Sequence, residues 1–248
     1  MKTVDEILKQ FNPVSLKEMD NVKLLNRIDT KFVCSIFKLT DILSDLSNLY
    51  NVLEIDGERI MPYNTKYYDT IDFKMFYEHQ NGKLNRYKIR EREYVNSSLN
   101  FLEIKFKNNK NRTLKSRIEK SNDLNKFNNK ESDFLDYKTP FSSNELEIKL
   151  YNTFQRITLS NGTERVTIDF DLKFDDGNGS KGVLPFLSII EVKQQKYSVN
   201  SDIVKILRNH QLRPCSFSKY CIGASIIYSN LKTNRFKSKL LLINKISA

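Results

Sequence analysis

The sequence contains no tryptophan, three cysteines, two histidines, five prolines and seven glycines among its 248 residues. Each shortage removes a class of protein. Cys34, Cys215 and Cys221 form no even framework and no C-x-x-C pair, so a disulfide scaffold and a thiolate zinc site are both excluded. Their plain reading is packing in a reducing, cytoplasmic setting. Two histidines, His79 and His210, are too few for a histidine-built metal centre; His79 is expected on a strand or turn, and His210 at the end of a helix. The longest apolar runs, such as Leu240 to Ile243, fall far short of the ~20 residues that span a bilayer. The charged N-terminus lacks the apolar centre of a signal peptide.

What the chain has in excess is positive charge, net +11 with a pI near 9.4. That points to an anionic partner: phosphates, nucleic acid or an anionic membrane surface. The length suits a single domain over residues 1–248 that buries its core without staples.

Along the chain, residues 1–12 read as an N-terminal helix, Asn26 to Cys34 as a first strand, and Thr40 to Leu49 as an amphipathic helix with Thr40 as its cap. Period-two alternation then marks strands at Lys66 to Tyr68, Met75 to His79, Arg86 to Tyr94 and Leu99 to Lys107, joined by Asn-rich turns. The polar stretch Glu119 to Asn144 holds a weak helix over Asn122 to Tyr137. Strands resume at Glu145 to Tyr151, Arg156 to Leu159, Thr163 to Phe174 and Leu187 to Gln194. Ser201 and Ser216 or Ser218 open two later helices, and the basic, then apolar, tail 232–248 suggests a last one.

The alternating faces carry the functional signal. Arg86, Lys88, Arg90 and Arg92 share one face, opposite Tyr87, Ile89 and Glu91. Leu102, Ile104 and Phe106 oppose Glu103, Lys105 and Lys107; Arg165, Thr167, Asp169 and Asp171 oppose Val166, Ile168 and Phe170; Glu191 and Lys193 oppose Ile190 and Val192. Residues 86–117 hold ten basic side chains against three acidic ones. Like charges in such register repel unless a polyanion neutralises them, and guanidinium forks suit phosphate oxygens. The expected architecture is therefore α+β: a closed antiparallel β-barrel tunnel with a polar lumen and helices packed outside. Acidic residues within it, Glu103, Glu147, Asp169, Asp171 and Glu191, either pair with neighbouring cations or converge on Mg²⁺ or Mn²⁺.

Several separated motifs sharpen this. Arg27, Asp29 and Lys31 form a basic-x-acidic-x-Lys opening; Tyr67-Tyr68-Asp69-Thr70 forms a strand and turn; Lys88, Arg90 and Arg92 precede Leu102-Glu103-Ile104-Lys105, then Lys115 and Arg117. Later come Arg165 with Asp169, Glu191 with Lys193, and Ser218-Lys219. In these the sequence resembles the VTC-type polyphosphate polymerase domain, the catalytic domain of the vacuolar transporter chaperone complex, within the CYTH-like triphosphate tunnel superfamily. The likeness runs from about Asn26 to Tyr228. It implies phosphate binding by Arg27, Lys31, Lys88, Arg90, Arg92, Lys105, Lys107, Lys115, Arg117, Arg165, Lys193 and Lys219. Among these, Lys31, Arg90, Arg92, Lys105, Arg165 and Lys219, with Glu191, are the implied catalytic set. It further implies Mn²⁺ or Mg²⁺ held by Glu191 and Glu103, with ATP and inorganic polyphosphate or triphosphate as partners. The implied reaction moves the γ-phosphoryl of ATP to a polyphosphate chain end.

Two alternatives stay open. One is a metal-dependent triphosphate or nucleoside triphosphate hydrolase of the same superfamily, although its usual E-x-E-x-K opening is absent at Arg27 to Lys31. The other is a non-catalytic polyphosphate- or nucleic-acid-binding module. The chain shows no zinc-finger spacing and no basic helix with heptads, which makes sequence-specific nucleic-acid reading the poorer fit.

Overall fold

Alternation of apolar and charged residues builds most of this molecule. The computed structural model describes residues 2–20, 28–110, 112–121 and 127–247. Its strands are β1 (Pro13–Val14), β2 (Ile28–Ser35), β3 (Asn51–Leu53), β4 (Met61–Asp69), β5 (Arg86–Tyr94), β6 (Leu99–Lys107), β7 (Thr113–Glu119), β8 (Glu147–Ser160), β9 (Arg165–Asp175), β10 (Lys181–Leu184) and β11 (Leu187–Gln194). Its helices are α1 (Val4–Leu8), α2 (Leu16–Asp20), α3 (Ile36–Leu46), α4 (Lys74–Gln80), α5 (Asn129–Lys138), α6 (Asp202–Asn209), α7 (Lys219–Ile227) and α8 (Lys237–Ser247).

The strands form one sheet in the order β2-β11-β9-β8-β4-β5-β6-β7, with antiparallel pairing between neighbours along that path. The sheet is strongly curled: the segment before α7 bonds both sides of it, Cys215 donating to the Lys31 carbonyl of β2 at 2.7 Å and Ser218 accepting from Lys88 of β5 at 2.9 Å. It does not close. Among the described residues β2 and β7 are the two ends of the path and do not pair with each other, so the closed barrel expected from the sequence is corrected to an open half-barrel. Closure requires the two edge strands to meet in hydrogen-bonding register. Part of the outer edge of β2 is instead taken by Cys215, whose N–H donates to the Lys31 carbonyl at 2.7 Å.

The convex face is covered as the alternation requires. Phe32, Ile157, Leu159, Val166, Ile168, Ile190 and Val192 pack against Leu39, Ile42 and Leu43 of α3 and Ile203 and Leu207 of α6. Leu135 of α5 covers Ile89, Leu102 and Ile104. One helix breaks the expected pattern: α7 lies inside the curl, with Gly223 against Leu150 and Phe174. No helix among the described residues is long and apolar enough to cross a membrane.

Local differences from the sequence reading have physical causes. Helix α3 starts at Ile36, capped by Ser35 rather than Thr40, whose hydroxyl donates to the Phe37 carbonyl instead. Met75 to His79 is helical, not extended, because the Asp69 carboxylate accepts from the N–H groups of Met75 and Phe76 at 2.9 Å and so starts α4. The two strands expected at 145–151 and 156–159 are one continuous β8. A bulge where Asp171 takes a left-handed φ of 50° turns its side chain out to Lys173, so the charged inner face of β9 ends at Asp169. The helix expected over residues 1–12 is limited to α1, the one expected over 122–137 starts at Asn129, and residues 26, 27 and 122–126 of the expected elements lie outside the described residues. Ser201 caps α6, Ser218 caps α7, His210 ends α6, and the tail contains α8, as expected.

Candidate functional site

Strand register decides which side chains share the inner face. Pairing puts Lys88 opposite Lys105, Arg90 opposite Glu103, Glu103 opposite Arg117 and Lys105 opposite Lys115. Across the sheet Lys31 faces Glu191, Asp29 faces Lys193, Lys193 faces Arg165, and Arg156 faces Asp169. The pleat thus brings Lys31, Lys88, Arg90, Arg92, Lys105, Lys107, Lys115, Arg117, Arg165, Lys193, Glu103 and Glu191 to one concave groove, with Lys219 reaching it from the first turn of α7. Arg27 lies outside the described residues.

Three acidic anchors hold parts of this array. Glu103, fully buried, accepts from Arg90 Nε at 2.7 Å and Nη2 at 2.5 Å and pairs with Lys115. Burial opposes its ionisation, but Arg90, Arg92 and Lys115 hold it well below the usual carboxylate range. Asp169 takes a bidentate fork from Arg156, at 2.6 and 2.8 Å, and pairs with Lys219. Burial again resists, and Arg156 and Lys219 overcome it. Glu191 pairs with Lys31 and, at 2.9 Å, with Lys193, whose Nζ also donates to the Thr167 hydroxyl at 2.6 Å.

Cations still outnumber these anchors, and the excess registers on the lysines. Lys105 makes no hydrogen bond or ion pair among the described residues; Arg90 foremost, then burial, drives its pKa well below the ordinary lysine value. Burial, with Arg86, Lys31 and Arg90 adding to it, lowers Lys88 to about 8. Burial lowers Lys115 to about 8 and Lys219 to about 7, against the pull of Glu103 and Asp169 respectively. Among the described residues Arg92 has no carboxylate partner: its guanidinium lies over Tyr63 at 5.4 Å and Phe154 at 5.8 Å, and its buried Nε has no acceptor there. Such an excess of cations over carboxylates favours an anionic ligand.

Arg156 is the groove residue that the sequence reading did not single out. Reading a break between residues 151 and 156 hid its phase; continuing the alternation from Asn152 through Phe154 places it on the inner face. Glu147 and Asp171 are the reverse case: each is exposed and paired with a nearby lysine, Lys149 and Lys173.

For a divalent ion the inner face offers little. Among the described residues no three His, Cys, Asp or Glu side chains converge as a metal cage. Both carboxylates are already paired, Glu103 with Arg90 and Lys115 and Glu191 with Lys31 and Lys193, but Glu103 is fully buried while Glu191 keeps 19% of its side chain exposed. This donor set suits an ion that arrives on phosphate oxygens and takes one protein carboxylate, the habit of Mg²⁺-type cations.

Comparison with known proteins agrees with the geometry. The family model described as VTC domain matches residues 26–228. No curated protein matches the chain. Among solved structures, a candidate adenylate cyclase from Bacillus halodurans is similar at 16% identity and a TM-score of 0.52, covering 85% of this chain and 97% of that one. A candidate adenylyl cyclase from Hippeastrum, whose dominant activity is that of a triphosphatase, is similar at 13% identity and a TM-score of 0.50, covering 80% and 95%. At these identities the likeness concerns the fold.

Proposed function

The chain belongs to the VTC domain family, and on that premise we propose that it binds a linear triphosphate along the inner groove and hydrolyses its terminal phosphoanhydride bond. Inorganic triphosphate and nucleoside triphosphates are the substrate class. The observation that carries this reading is the charge of Lys105, Arg92 and Lys88 on the inner face, which no carboxylate among the described residues pairs. Basic groups fixed before the substrate arrives need no reorganisation as charge moves onto the leaving diphosphate. The water oxygen attacks the terminal phosphorus in line, the bond to the bridging oxygen breaks, and that oxygen departs with the diphosphate while the water proton passes to solvent or phosphate. Glu191 would be the protein ligand of an Mn²⁺ or Mg²⁺ ion arriving with the phosphates, which would supply charge neutralisation at the reacting group. The open sheet gives water access to the groove, and the Hippeastrum protein of the same fold is a triphosphatase.

Transfer to a phosphate chain end, the polymerase reaction, is the second reading, favoured by the family match over 26–228. Incubation with ATP and Mn²⁺ separates the two: hydrolysis accumulates orthophosphate, polymerisation accumulates acid-stable chains. Replacing Arg92 by Ala is expected to lower turnover at least ~100-fold, the scale of losing one preorganised donor. Glu191→Gln is expected to abolish the Mn²⁺ dependence; turnover and metal dependence that both survive it would remove the metal assignment.

A further inference from the structure

Phe236 and Lys239 lie beyond residue 228, where the family match ends, yet both help to wall a cavity of about 110 Å³ at one end of the groove. The other walls include Arg86 from β5, His79 from α4, and Ser216 and Ser218 from the approach to α7. Inner-face positions along β5 run Arg92, Arg90, Lys88, Arg86, so the cavity continues the groove past Lys88. The divider is a hydrogen bond, Lys88 Nζ donating to Ser218 Oγ at 2.9 Å.

The cavity is cationic and has a fixed lid. After burial, the groups that act most strongly on His79 are Lys88, Arg86, Lys239 and Lys107, all positive, and they keep the imidazole neutral with a pKa of about 2. Phe236 and Ile243 are buried in the same cluster as Leu187, Ile189 and Ile222, which ties the C-terminal segment to the sheet and to α7. The volume is well above the ~10–15 Å³ that a single water needs on the same measure, enough for one tetrahedral oxyanion.

We propose that this cavity is a second oxyanion subsite, built jointly by the groove and the C-terminal segment, which takes a single phosphate group. The Arg86 guanidinium and the Lys239 ammonium supply donors only, and each serine hydroxyl can turn its proton toward an oxyanion, as a phosphate dianion requires. The group can be free orthophosphate or the end of a chain lying in the groove; the chain-end case rests on the function proposed above, and the free-phosphate case does not.

Calorimetric titration of orthophosphate and of tripolyphosphate into the full chain, Lys239→Ala, Arg86→Ala/Lys239→Ala and Arg92→Ala tests it at near-physiological salt. Lys239→Ala is expected to weaken binding about tenfold, the effect of one charge-assisted hydrogen bond. If free orthophosphate is the occupant, its affinity falls in Lys239→Ala and holds in Arg92→Ala, while tripolyphosphate affinity is unmoved by Lys239→Ala. If a chain end is the occupant, tripolyphosphate affinity falls in Lys239→Ala as well. Affinities for both ligands that are the same in wild type, Lys239→Ala and the double variant overturn the proposal. Loss of tripolyphosphate binding in Arg92→Ala reports on the groove separately. Unchanged thermal midpoints show that the fold is kept, and Lys239→Gln stands in should the double variant unfold.

Discussion

Lys105 faces Arg90 and Arg92 without an ion pair of its own among the described residues, so its proton is weakly held. A bound polyanion reverses that local field and returns protons to Lys88, Lys105, Lys115 and Lys219. Tripolyphosphate binding near pH 8 is therefore expected to take up protons, and its affinity to fall as pH rises from about 7 toward the ordinary lysine value of 10.5. Calorimetry in two buffers of different ionisation enthalpy measures this directly; zero net uptake contradicts it. Without ligand the same shift acts on stability. Between about pH 7 and 10.5 the unfolded Lys219 holds a proton that the folded one lacks, so this group adds stability as pH climbs through that window. The Arg156 fork on Asp169 is the other sensitive contact. Arg156→Ala strands a buried carboxylate that keeps only Lys219, and is expected to cost on the order of 2–4 kcal/mol, somewhat less than breaking an isolated buried pair. A lower denaturant midpoint at constant slope is the readout.

Among the elements, α7 depends on one close approach. A Cβ on Gly223 would meet Phe174 Cδ1 at 2.5 Å and Leu150 Cδ2 at 2.6 Å, both rings and branches fixed in the core. Gly223→Ala is expected to push α7 outward, cost roughly 1–3 kcal/mol as overpacking does, and withdraw Lys219 from Asp169. A lowered thermal midpoint together with weaker tripolyphosphate binding checks this; a wild-type midpoint refutes it. Elements of this kind were only partly legible in the sequence. Strand faces at 86–94, 99–107 and 187–194 follow from side-chain alternation alone. Helix α4 does not, because Lys74 to Gln80 is short and its start is set by a carboxylate from Asp69, five residues upstream of its first residue. Neither the bulge at Asp171 nor the register shift between Leu150 and Ile148 leaves a mark on composition, and past them Asp171 and Glu147 lie outside the groove.

For the whole molecule, a net charge of +11 together with a groove lined mainly by cations predicts strong salt dependence. Raising salt from ~50 to ~200 mM is expected to weaken tripolyphosphate binding roughly 10- to 100-fold, as with other polyanion complexes that release counterions; an affinity flat in salt would argue against a groove-wide contact. Closure was the global property that the sequence did not determine. Alternation says which face a side chain takes, but whether the first and last strands meet depends on accumulated twist and on what else occupies the free edge of β2, here the backbone of Cys215.

That β2 and β7 do not pair with each other among the described residues also bears on how cargo gets in. A polymer facing a half-barrel can settle sideways into it along its length, with no need to thread a free end through an opening. Loading should then scale with the number of internal phosphate units, and a phosphate chain blocked at both termini, or a cyclic one, should still reach the cations of the groove.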